Sequence, residues 1–318
     1  MVARSPQEIQ ALQAAWEGLS RAGEHTLFQS FTWNALAARA FADRATPFVV
    51  HVENGGGQAI IPACVQAGQV RFLGDELFDY RDMLWEGSEE ALRRAWREVA
   101  ALDRSFSLTA LLGDSRGAAW DELGFAPSSF TSAPGVCGAD VSASAFAAAH
   151  TRSGRLLRRL HRAGAELHLH SGRDARLVRH LYQCKAAQLQ GRSNNLFADQ
   201  RRVEFLVEAA ASEACEIFTF ETPGSLVAAL LTFRDGPIRR FYTTYFDHRW
   251  AHHSPGTALL YEVTRRSLEH GLDCDYMTGE QPHKLRFATS STPLFRVAAP
   301  PQVLRAVATE RRELPLVA

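Results

Sequence analysis

Length, composition and charge place the chain among globular proteins of two-domain size. It has 318 residues, 46% of them hydrophobic, with 35 basic and 35 acidic side chains, so its formal net charge is zero. That length is enough to bury two cores without disulfides or metals. A neutral chain is a poor candidate for general nucleic-acid binding, so we expect no DNA partner, and no apolar run approaches the roughly 18 residues of a membrane span.

Cysteine and lysine usage adds two indications. The five cysteines are scattered without a C-x-x-C pair, and the N-terminal residues show no apolar segment typical of a secretory signal. Both observations favour reduced thiols and a cytoplasmic location. Of the 35 basic residues, only Lys185 and Lys284 are lysines. Because arginine cannot supply a compact, titratable ammonium, a lysine retained in such a chain is a candidate functional group, with chance as the alternative.

The first half of the chain predicts helices, then a strand meander, then alternating helix and strand. Ser5, Pro6 and Glu8 form the capping-box start of the first helix. Residues 54–57 are typical of a hairpin turn. The predicted helices cover residues 5–23, 32–41, 88–103 and 116–123, and the predicted strands cover 47–53, 58–65, 71–75 and 106–112. Residues 126–149, rich in Ser, Ala, Gly and Pro, are expected to cross between domains.

The second half repeats this order with clearer periodicity. Its predicted helices cover 151–164, 173–190, 200–214 and 257–271, and its predicted strands cover 165–172, 215–222, 225–233, 238–247 and 274–279. Helices followed by an antiparallel meander and a strand-helix-strand unit predict an α+β fold. The similar order of elements in both halves indicates a structural duplication, with an N-terminal domain over 1–140 and a C-terminal domain over 141–318.

The loop over residues 247–256 is a candidate anion site. It leads into a helix that starts with Ser254, Pro255 and Gly256, where Ser is a natural N-cap and Pro is favoured in the first turn. No Asp or Glu lies in that first turn, so its N–H groups and the positive end of the helix dipole are available to a phosphate. Arg249 adds a charge-assisted contact. An ordinary capped helix is the alternative.

Carboxylates and a lysine follow the next predicted strand. Asp275 lies within that strand, Gly279 ends it, and Glu280 and Lys284 come just after. Charged groups gathered past the C-terminal end of a strand suit acid–base or oxyanion chemistry. The alternative is a surface ion pair between Glu280 and Lys284 with a structural Asp275.

These motifs together carry a family resemblance. The family pattern is an S-P-G helix start, an acidic residue in the next strand, and then G-[DE]-x-x-[YH]-K. The matching positions are Ser254-Pro255-Gly256, Asp275, Gly279-Glu280 and His283-Lys284, with His283 in place of the usual Tyr. The sequence thus resembles the CelD/BcsL-like acyltransferases of the GNAT superfamily, which are related to Fem-type peptidyltransferases. FQSFTW and FLGDELFDYRDML are similar to the family's N-terminal unit, so the resemblance covers nearly the whole chain.

The resemblance implies two tandem GNAT-like domains facing a shared cleft, each with a mostly antiparallel sheet flanked by helices. It implies an N-acyltransferase that moves an acyl group from acyl-CoA to a primary amine of a small molecule or saccharide precursor, without a metal. The C-terminal domain would hold the CoA pyrophosphate, although the usual [RQ]-x-x-G-x-[GA] spacing is missing. The residues expected to bind it are Arg249, His253, Ser254, Gly256 and Thr257.

The resemblance also implies roles for four residues in the chemistry. Lys284 would stabilise the oxyanion or the leaving group, helped by backbone N–H groups of the third meander strand. Asp275 or Glu280 would accept the proton of the amine, and Tyr245 would donate a proton to the thiolate. Lys185, on a predicted helix, is expected to matter less than Lys284.

Two alternatives to an acyl-CoA enzyme remain open. One is a Fem-type transferase that takes aminoacyl-tRNA, and the other is a non-catalytic GNAT-fold binding module in a biosynthetic assembly. The zero net charge counts mildly against tRNA, whereas a basic helix could meet either a tRNA or the phosphates of CoA. That helix carries Arg152, Arg155, Arg158, Arg159 and Arg162, which is also the pattern of an ordinary solvated face.

Two further groups of polar residues are weaker candidates. Tyr80 and Asp82 follow a strand in a loop, where polar side chains often line a cleft, so we expect them to bind substrate, with turn chemistry as the alternative. His248, His252 and His253 are close in sequence, but no carboxylate or cysteine spacing supports a zinc site.

Overall fold

The computed structural model describes residues 1–22, 25–54, 56–74, 77–112, 127–212 and 214–299. The chain divides into two units. Unit 1 comprises Met1–Thr131 and the chain from Pro293 onward, and unit 2 comprises Ser132–Thr292. The helix predicted over 116–123 lies outside the described residues.

Unit 1 is a strand meander with helices packed against it. Its strands are β1 (Val2–Ala3), β2 (Ala45–Asn54), β3 (Gly57–Gln66), β4 (Gln69–Phe72), β5 (Leu84–Gly87) and β6 (Ser105–Leu112). Its helices are α1 (Pro6–Gln10), α2 (Gln13–Ala22), α3 (Phe31–Ala40) and α4 (Glu89–Ala100). The strands β1 to β4 pair in antiparallel order, β5 joins β3, and β4 and β6 run parallel.

The amphipathic helix α4 shows how the sequence pattern sets the core of unit 1. Leu92, Trp96 and Val99 recur at helical spacing and are at most 1% exposed. They pack onto β2 and β3, and Trp96 Nε1 lies 3.0 Å from Met83 Sδ. The Ser88 hydroxyl caps the helix by accepting from the Glu90 N–H. The predicted amphipathic helix is therefore confirmed.

Unit 2 contains the second meander and most of the remaining helices. Its strands are β7 (Ser128–Val136), β8 (Glu166–Ser171), β9 (Cys215–Thr222), β10 (Ser225–Asp235), β11 (Ile238–Phe246) and β12 (Asp273–Asp275), and β13 (Ser290–Ala299) leaves it. Its helices are α5 (Ala143–Ala149), α6 (Thr151–Arg162), α7 (Ala175–Gln188), α8 (Gln200–Ala210), α9 (Pro255–Glu269) and α10 (Pro282–Leu285).

The sheet of unit 2 runs in the order β7-β12-β11-β10-β9-β8. Neighbouring strands are antiparallel except β11 and β12, which are parallel because α9 connects them. The apolar face of α9 packs on this sheet with Leu259, Leu260 and Val263, which are at most 4% exposed. The predicted α+β class with mostly antiparallel pairing is confirmed.

The division between the units differs from the predicted boundary at residue 140. Residues 126–149 are not an irregular crossover, since they contain β7 and α5. The sequence pattern does not predict β7, because Pro134 and Gly135 interrupt the alternation of apolar and polar residues. Backbone pairing of Gly135 with Asp275 holds the strand in place. At the other end, β13 pairs with β6, which places the chain from Pro293 in unit 1 rather than in the C-terminal domain.

One strand is shorter than its sequence indicates. The strand predicted over 274–279 ends at Asp275, because Met277 adopts a positive φ of 65°. The Asp275 carboxylate accepts the Met277 N–H at 2.7 Å and so turns the chain out of the sheet. No helix in the described ranges is long and apolar enough to cross a bilayer.

The junction between β8 and α7 leaves no room for a side chain at Gly172. An added Cβ would collide with the Ala210 carbonyl oxygen and lie 2.5 Å from the Cys215 Cβ. We expect Gly172→Ala to lower the free energy of unfolding by about 2 kcal/mol or more, as overpacking does. Gly18→Ala on α2, with nothing within 4 Å, is the control and should be neutral or stabilising. Denaturant unfolding that places the two variants at equal stability would contradict the packing.

Candidate active site

The backbone of β11 is the centre of the candidate site. β11 pairs with β12 only from Ile238 to Arg240. Two residues later the register with β10 shifts, because Leu231 pairs with Thr243 while Thr232 pairs with Phe241, which leaves Tyr242 as an extra residue. Such a bulge bends a strand and changes its direction. The two parallel strands therefore part, and the second half of β11 keeps β10 on one edge only.

The open edge of β11 faces helix α7. Lys185 Nζ donates to the Thr244 carbonyl oxygen at 2.7 Å, and Gln188 Nε2 donates to the Phe246 carbonyl oxygen at 3.3 Å. In a strand the N–H and C=O of one residue point to the same edge. The N–H groups of Thr244 and Phe246 therefore also face this edge, where they suit a developing oxyanion.

The start of α9 lies at the end of β11. Ser254 occupies the N-cap position in the left-handed region, with φ 54° and ψ 50°, and Pro255 follows as the first helical residue. The predicted cap by the Ser254 hydroxyl is wrong, because this backbone conformation directs the side chain elsewhere and it makes no capping hydrogen bond. The N–H groups of Gly256 and Thr257, which cannot bond within the helix, are left for an external acceptor.

Gly256 lies close to the aromatic end of β11. A Cβ added there would meet Phe246 Cδ1 at 3.4 Å, an ordinary contact, and the helical backbone puts no strain on a larger residue. An anion on the first turn of α9 would therefore sit beside the open edge of β11. The backbone N–H groups of the α9 start and those of the open β11 edge thus belong to one unit.

The two predicted side chains flanking this helix start are less available than the sequence indicates. Arg249 is 79% exposed and forms an ion pair with Asp247, at 2.6 Å, that neutralises much of its charge. The Arg249 guanidinium lowers the pKa of the Asp247 carboxyl, so this pair persists at neutral pH. His253 accepts from Arg159 Nε at 3.3 Å. Burial, then the charges of His252 and Arg159, lower the pKa of His253, which keeps it neutral.

Asp275 has a structural role at the last β11–β12 pair. Arg240 Nη1 donates to its Oδ2 at 2.5 Å, and its Oδ1 accepts the Met277 N–H at 2.7 Å. Arg240 also pairs with Asp235 at 2.5 Å, and the three side chains are at most 19% exposed. Because both oxygens of Asp275 are occupied, the structure does not support the predicted role as proton acceptor.

Glu280 and Lys284 lie in the segment after β12, as the sequence indicates. Glu280 is exposed, and its Oε1 accepts the Ser132 hydroxyl at 2.7 Å. Lys284 Nζ donates to the Thr278 carbonyl oxygen at 2.7 Å and to that of Met277 at 3.2 Å. The backbone therefore fixes this ammonium near the end of β12.

Tyr245, on β11 beyond the bulge, is a neutral phenol. Burial, followed by the neighbouring Cys184 and Asp247, raises the pKa of Tyr245 to about 12. Its hydroxyl is hydrogen-bonded to the Cys184 thiol, whose own pKa burial raises. A phenol that holds its proton at neutral pH can donate it to a leaving thiolate.

Tyr80 and Asp82 are buried in the structure. Both are 2% exposed, in the interior of unit 1. The Tyr80 carbonyl oxygen accepts from Gln29 Nε2 at 2.8 Å, and the Asp82 carboxylate accepts the N–H groups of Met83 and Leu112. The prediction that they bind substrate is not supported, because a polar loop after a strand has here folded inward to satisfy backbone groups.

Sequence reasoning missed several residues that the fold brings to this site. Lys185 and Gln188 of α7 contact the open edge of β11, and Arg159 of α6 reaches the turn before α9. The scarcity of lysine was the one signal in the sequence, and it applied equally to Lys185 and Lys284. Within the described ranges, no group of three or more His, Cys, Asp or Glu residues is arranged to hold a metal ion.

The GNAT acyltransferase fold consists of an antiparallel meander followed by a parallel strand pair that a helix joins. The first N–H groups of that helix have no acceptor within the helix. Residues 148–285 match the family model described as the acetyltransferase (GNAT) domain. The chain therefore contains a GNAT domain and is an enzyme of the acyltransferase class. No curated protein matches the sequence.

Solved structures share this fold across most of the chain. The C-terminal domain (DUF2156) of a putative lysylphosphatidylglycerol synthetase from Agrobacterium fabrum is 10% identical with a TM-score of 0.64, over 96% of this chain and 97% of that one. FemX is 9% identical with a TM-score of 0.60, over 92% and 98%. A tandem GNAT protein from the clavulanic acid biosynthesis pathway is 11% identical with a TM-score of 0.52, over 94% and 96%. These similarities show the fold.

The ion-pair network at Asp275 generates a prediction about stability. Asp275→Asn keeps the shape but removes a buried charge that balances Arg240, so the free energy of unfolding should fall by about 2 kcal/mol or more. Glu280→Gln, in the exposed loop, should change it by about 0.5 kcal/mol or less. Chemical denaturation measures both, and an Asp275→Asn variant as stable as the parent would show that the network is dispensable.

Proposed function

We propose that the chain is an N-acyltransferase that moves an acyl group from acyl-CoA to a primary amine. The observation that carries the proposal is the position of the uncapped α9 start beside the open edge of β11. A CoA pyrophosphate on the Gly256 and Thr257 N–H groups would direct its pantetheine arm along β11. The thioester carbonyl would then reach the N–H groups of Thr244 and Phe246.

The side chains of unit 2 supply the remaining chemistry. The amine attacks the thioester carbon, and the carbonyl oxygen takes up negative charge in a tetrahedral intermediate. Lys284 stabilises that charge from the β12 side, and the C–S bond then breaks. Tyr245 donates its phenolic proton to the departing CoA thiolate. Glu280, exposed to solvent, receives the proton of the attacking amine through water, a role that Asp275 cannot fill while it binds Arg240.

The resemblance to CelD/BcsL-like enzymes supports a small-molecule or saccharide amine as acceptor and a cytoplasmic location. Aminoacyl-tRNA remains the alternative donor. The row of exposed arginines on α6 favours it, since Arg159 touches the turn that precedes α9. Titration with CoA and with a charged tRNA under the same conditions separates the two donors.

A substitution that adds one negative charge at Gly256 tests the donor site. Isothermal titration of the full chain with CoA should show binding weakened by well over about tenfold in Gly256→Asp, since the new carboxylate repels the pyrophosphate and a charge-assisted hydrogen bond is worth about 1.5–3 kcal/mol. Gly256→Asn is the control of matched shape and should bind CoA more tightly than Gly256→Asp. Equal CoA affinity in the parent and a folded Gly256→Asp variant would rule out this donor site.

Measurement of kcat in Lys284 variants tests the proposed role of this residue. Its ammonium would stabilise charge that appears only in the transition state, so Lys284→Ala should lower kcat by about 10²–10³ while the KM for acetyl-CoA stays close to that of the parent. Lys284→Arg should restore activity in part, because the guanidinium keeps the charge but not the shape. The assay follows CoA thiol release with a panel of primary amines, or by thioester hydrolysis.

An exposed cation far along the chain provides the control for this experiment. Arg94→Ala on α4 removes an exposed positive charge that has no role in the proposed mechanism, and its kcat should equal that of the parent. A Lys284→Ala variant with the turnover of Arg94→Ala would remove Lys284 from the mechanism.

A further inference from the structure

The only two lysines of the chain are both anchored on backbone carbonyl oxygens beyond the pairing of β11 and β12. Lys185 Nζ is anchored on the Thr244 carbonyl oxygen of β11, at 2.7 Å. Lys284 Nζ is anchored on the carbonyl oxygens of Thr278 and Met277, in the segment that follows β12. All three anchors lie beyond the last residue pair that joins the strands. The fold therefore brings both ammonium groups to the open edge.

These lysines belong to a group of cations that share one neighbourhood. Burial lowers the pKa of His283, and the charges of Lys284, Lys185 and Arg286 lower it further. Burial and then the charge of Arg192 lower the pKa of Lys185. The Lys185 ammonium bonds the Thr244 carbonyl oxygen rather than a carboxylate. Gathering like charges costs free energy, which a bound anion would recover.

Helix α7 fixes the position of Lys185 from both sides. One turn before it, the buried Tyr182 hydroxyl lies 3.2 Å from the Thr243 hydroxyl, and one turn after it Gln188 donates to the Phe246 carbonyl oxygen. The half-buried ammonium is thus held by the fold rather than by solvent. An ammonium has three donors, and Thr244 takes one, so two can point to a ligand.

We propose that Lys185 binds an anionic group of the acyl acceptor, so that the acceptor is a primary amine that also carries a carboxylate or phosphate. The proposal rests on the acyltransferase function proposed above and narrows its acceptor. Holding the anion next to β11 places the amine of the same molecule near the thioester, which is how an oriented contact raises the rate of a reaction between two molecules.

Lysine-selective acetylation tests the anion site without any turnover. The full chain is treated with limiting N-acetoxysuccinimide, a neutral reagent, and peptide mass spectrometry measures Lys185 and Lys284 separately. Glutarate or inorganic phosphate, titrated at ionic strength matched with NaCl, should slow acetylation of Lys185 by about fivefold once the ligand reaches about four times its Kd. Protection by glutarate indicates a carboxylate, and protection by phosphate indicates a phosphate. Equal acetylation with NaCl, glutarate and phosphate, or equal protection by neutral glutaramide, overturns the proposal.

Kinetics with two matched amines tests the link to the reaction. With acetyl-CoA as donor, Lys185→Gln should raise the KM for 4-aminobutanoate by about tenfold or more, the worth of one charge-assisted contact. The KM for 4-aminobutanamide should rise by a factor about tenfold smaller, and Lys185→Arg should restore the KM for 4-aminobutanoate in part. An equal effect on both amines, or a loss of kcat with the neutral amine, overturns the proposal because it would make Lys185 a proton acceptor or a structural residue.

These experiments distinguish failure of the acyltransferase proposal from failure of the anion-site proposal. If the parent acetylates no amine and binds no CoA, the acyltransferase proposal fails, while protection of Lys185 still shows whether this position holds an anion. If the parent acetylates 4-aminobutanamide as well as 4-aminobutanoate and no anion protects Lys185, the acyltransferase stands and the anion site fails.

Discussion

The short pairing between β11 and β12 is the constraint on which the rest of unit 2 depends. The strands share only the pairs from Ile238 to Arg240, and the ion pair between Arg240 and Asp275 is the last link between them. Beyond it the bulge at Tyr242 turns β11 away, and the positive φ of Met277 turns the other chain out of the sheet. A buried salt bridge adds little net stability to a fold, but it does fix where two elements meet. The Arg240–Asp275 ion pair marks the residue at which the pairing of β11 and β12 ends. Beyond that residue the backbone edge of β11 is open for the proposed chemistry.

The electrostatics of the site follow from that opening. A chain with equal numbers of acidic and basic residues has no overall field, so local arrangement must attract an anion. The α9 start contributes backbone N–H groups and a helix dipole, while its neighbouring Arg249 is largely neutralised by Asp247. Side-chain charge enters instead from Lys185 of α7 and Lys284 of the segment after β12. In the proposed mechanism, backbone dipoles therefore hold the donor, Lys284 stabilises the oxyanion, and Lys185 holds the acceptor.

Sequence patterns predicted what local physics determines and missed what tertiary pairing determines. Hydrophobic periodicity found α4, α9 and the meander β9-β10-β11, since each buries one regular face. It missed β7, because backbone pairing with β12 holds a segment with no apolar alternation. For the site, the S-P-G pattern predicted where α9 starts but the wrong role for the Ser254 hydroxyl, because the sequence does not encode the left-handed φ of this residue. The contact of Lys185 with Thr244 joins distant segments, so spacing alone had no means to find it.

The choice of lysine at the open edge has a physical explanation in donor geometry. A guanidinium presents its donors in one plane, so an arginine that bonded the Thr244 carbonyl oxygen would aim its remaining donors along the plane of that contact. An ammonium has tetrahedral donors, and one of them can bind the strand while the others point away from it toward a ligand. Lys284 shows the same use, since its ammonium contacts two carbonyl oxygens of the segment after β12. In a chain whose other basic residues are all arginine, lysine thus occurs where a cation must attach to backbone and still face an open edge. The same geometry predicts that an arginine at either position would keep the charge yet lose part of the proposed function.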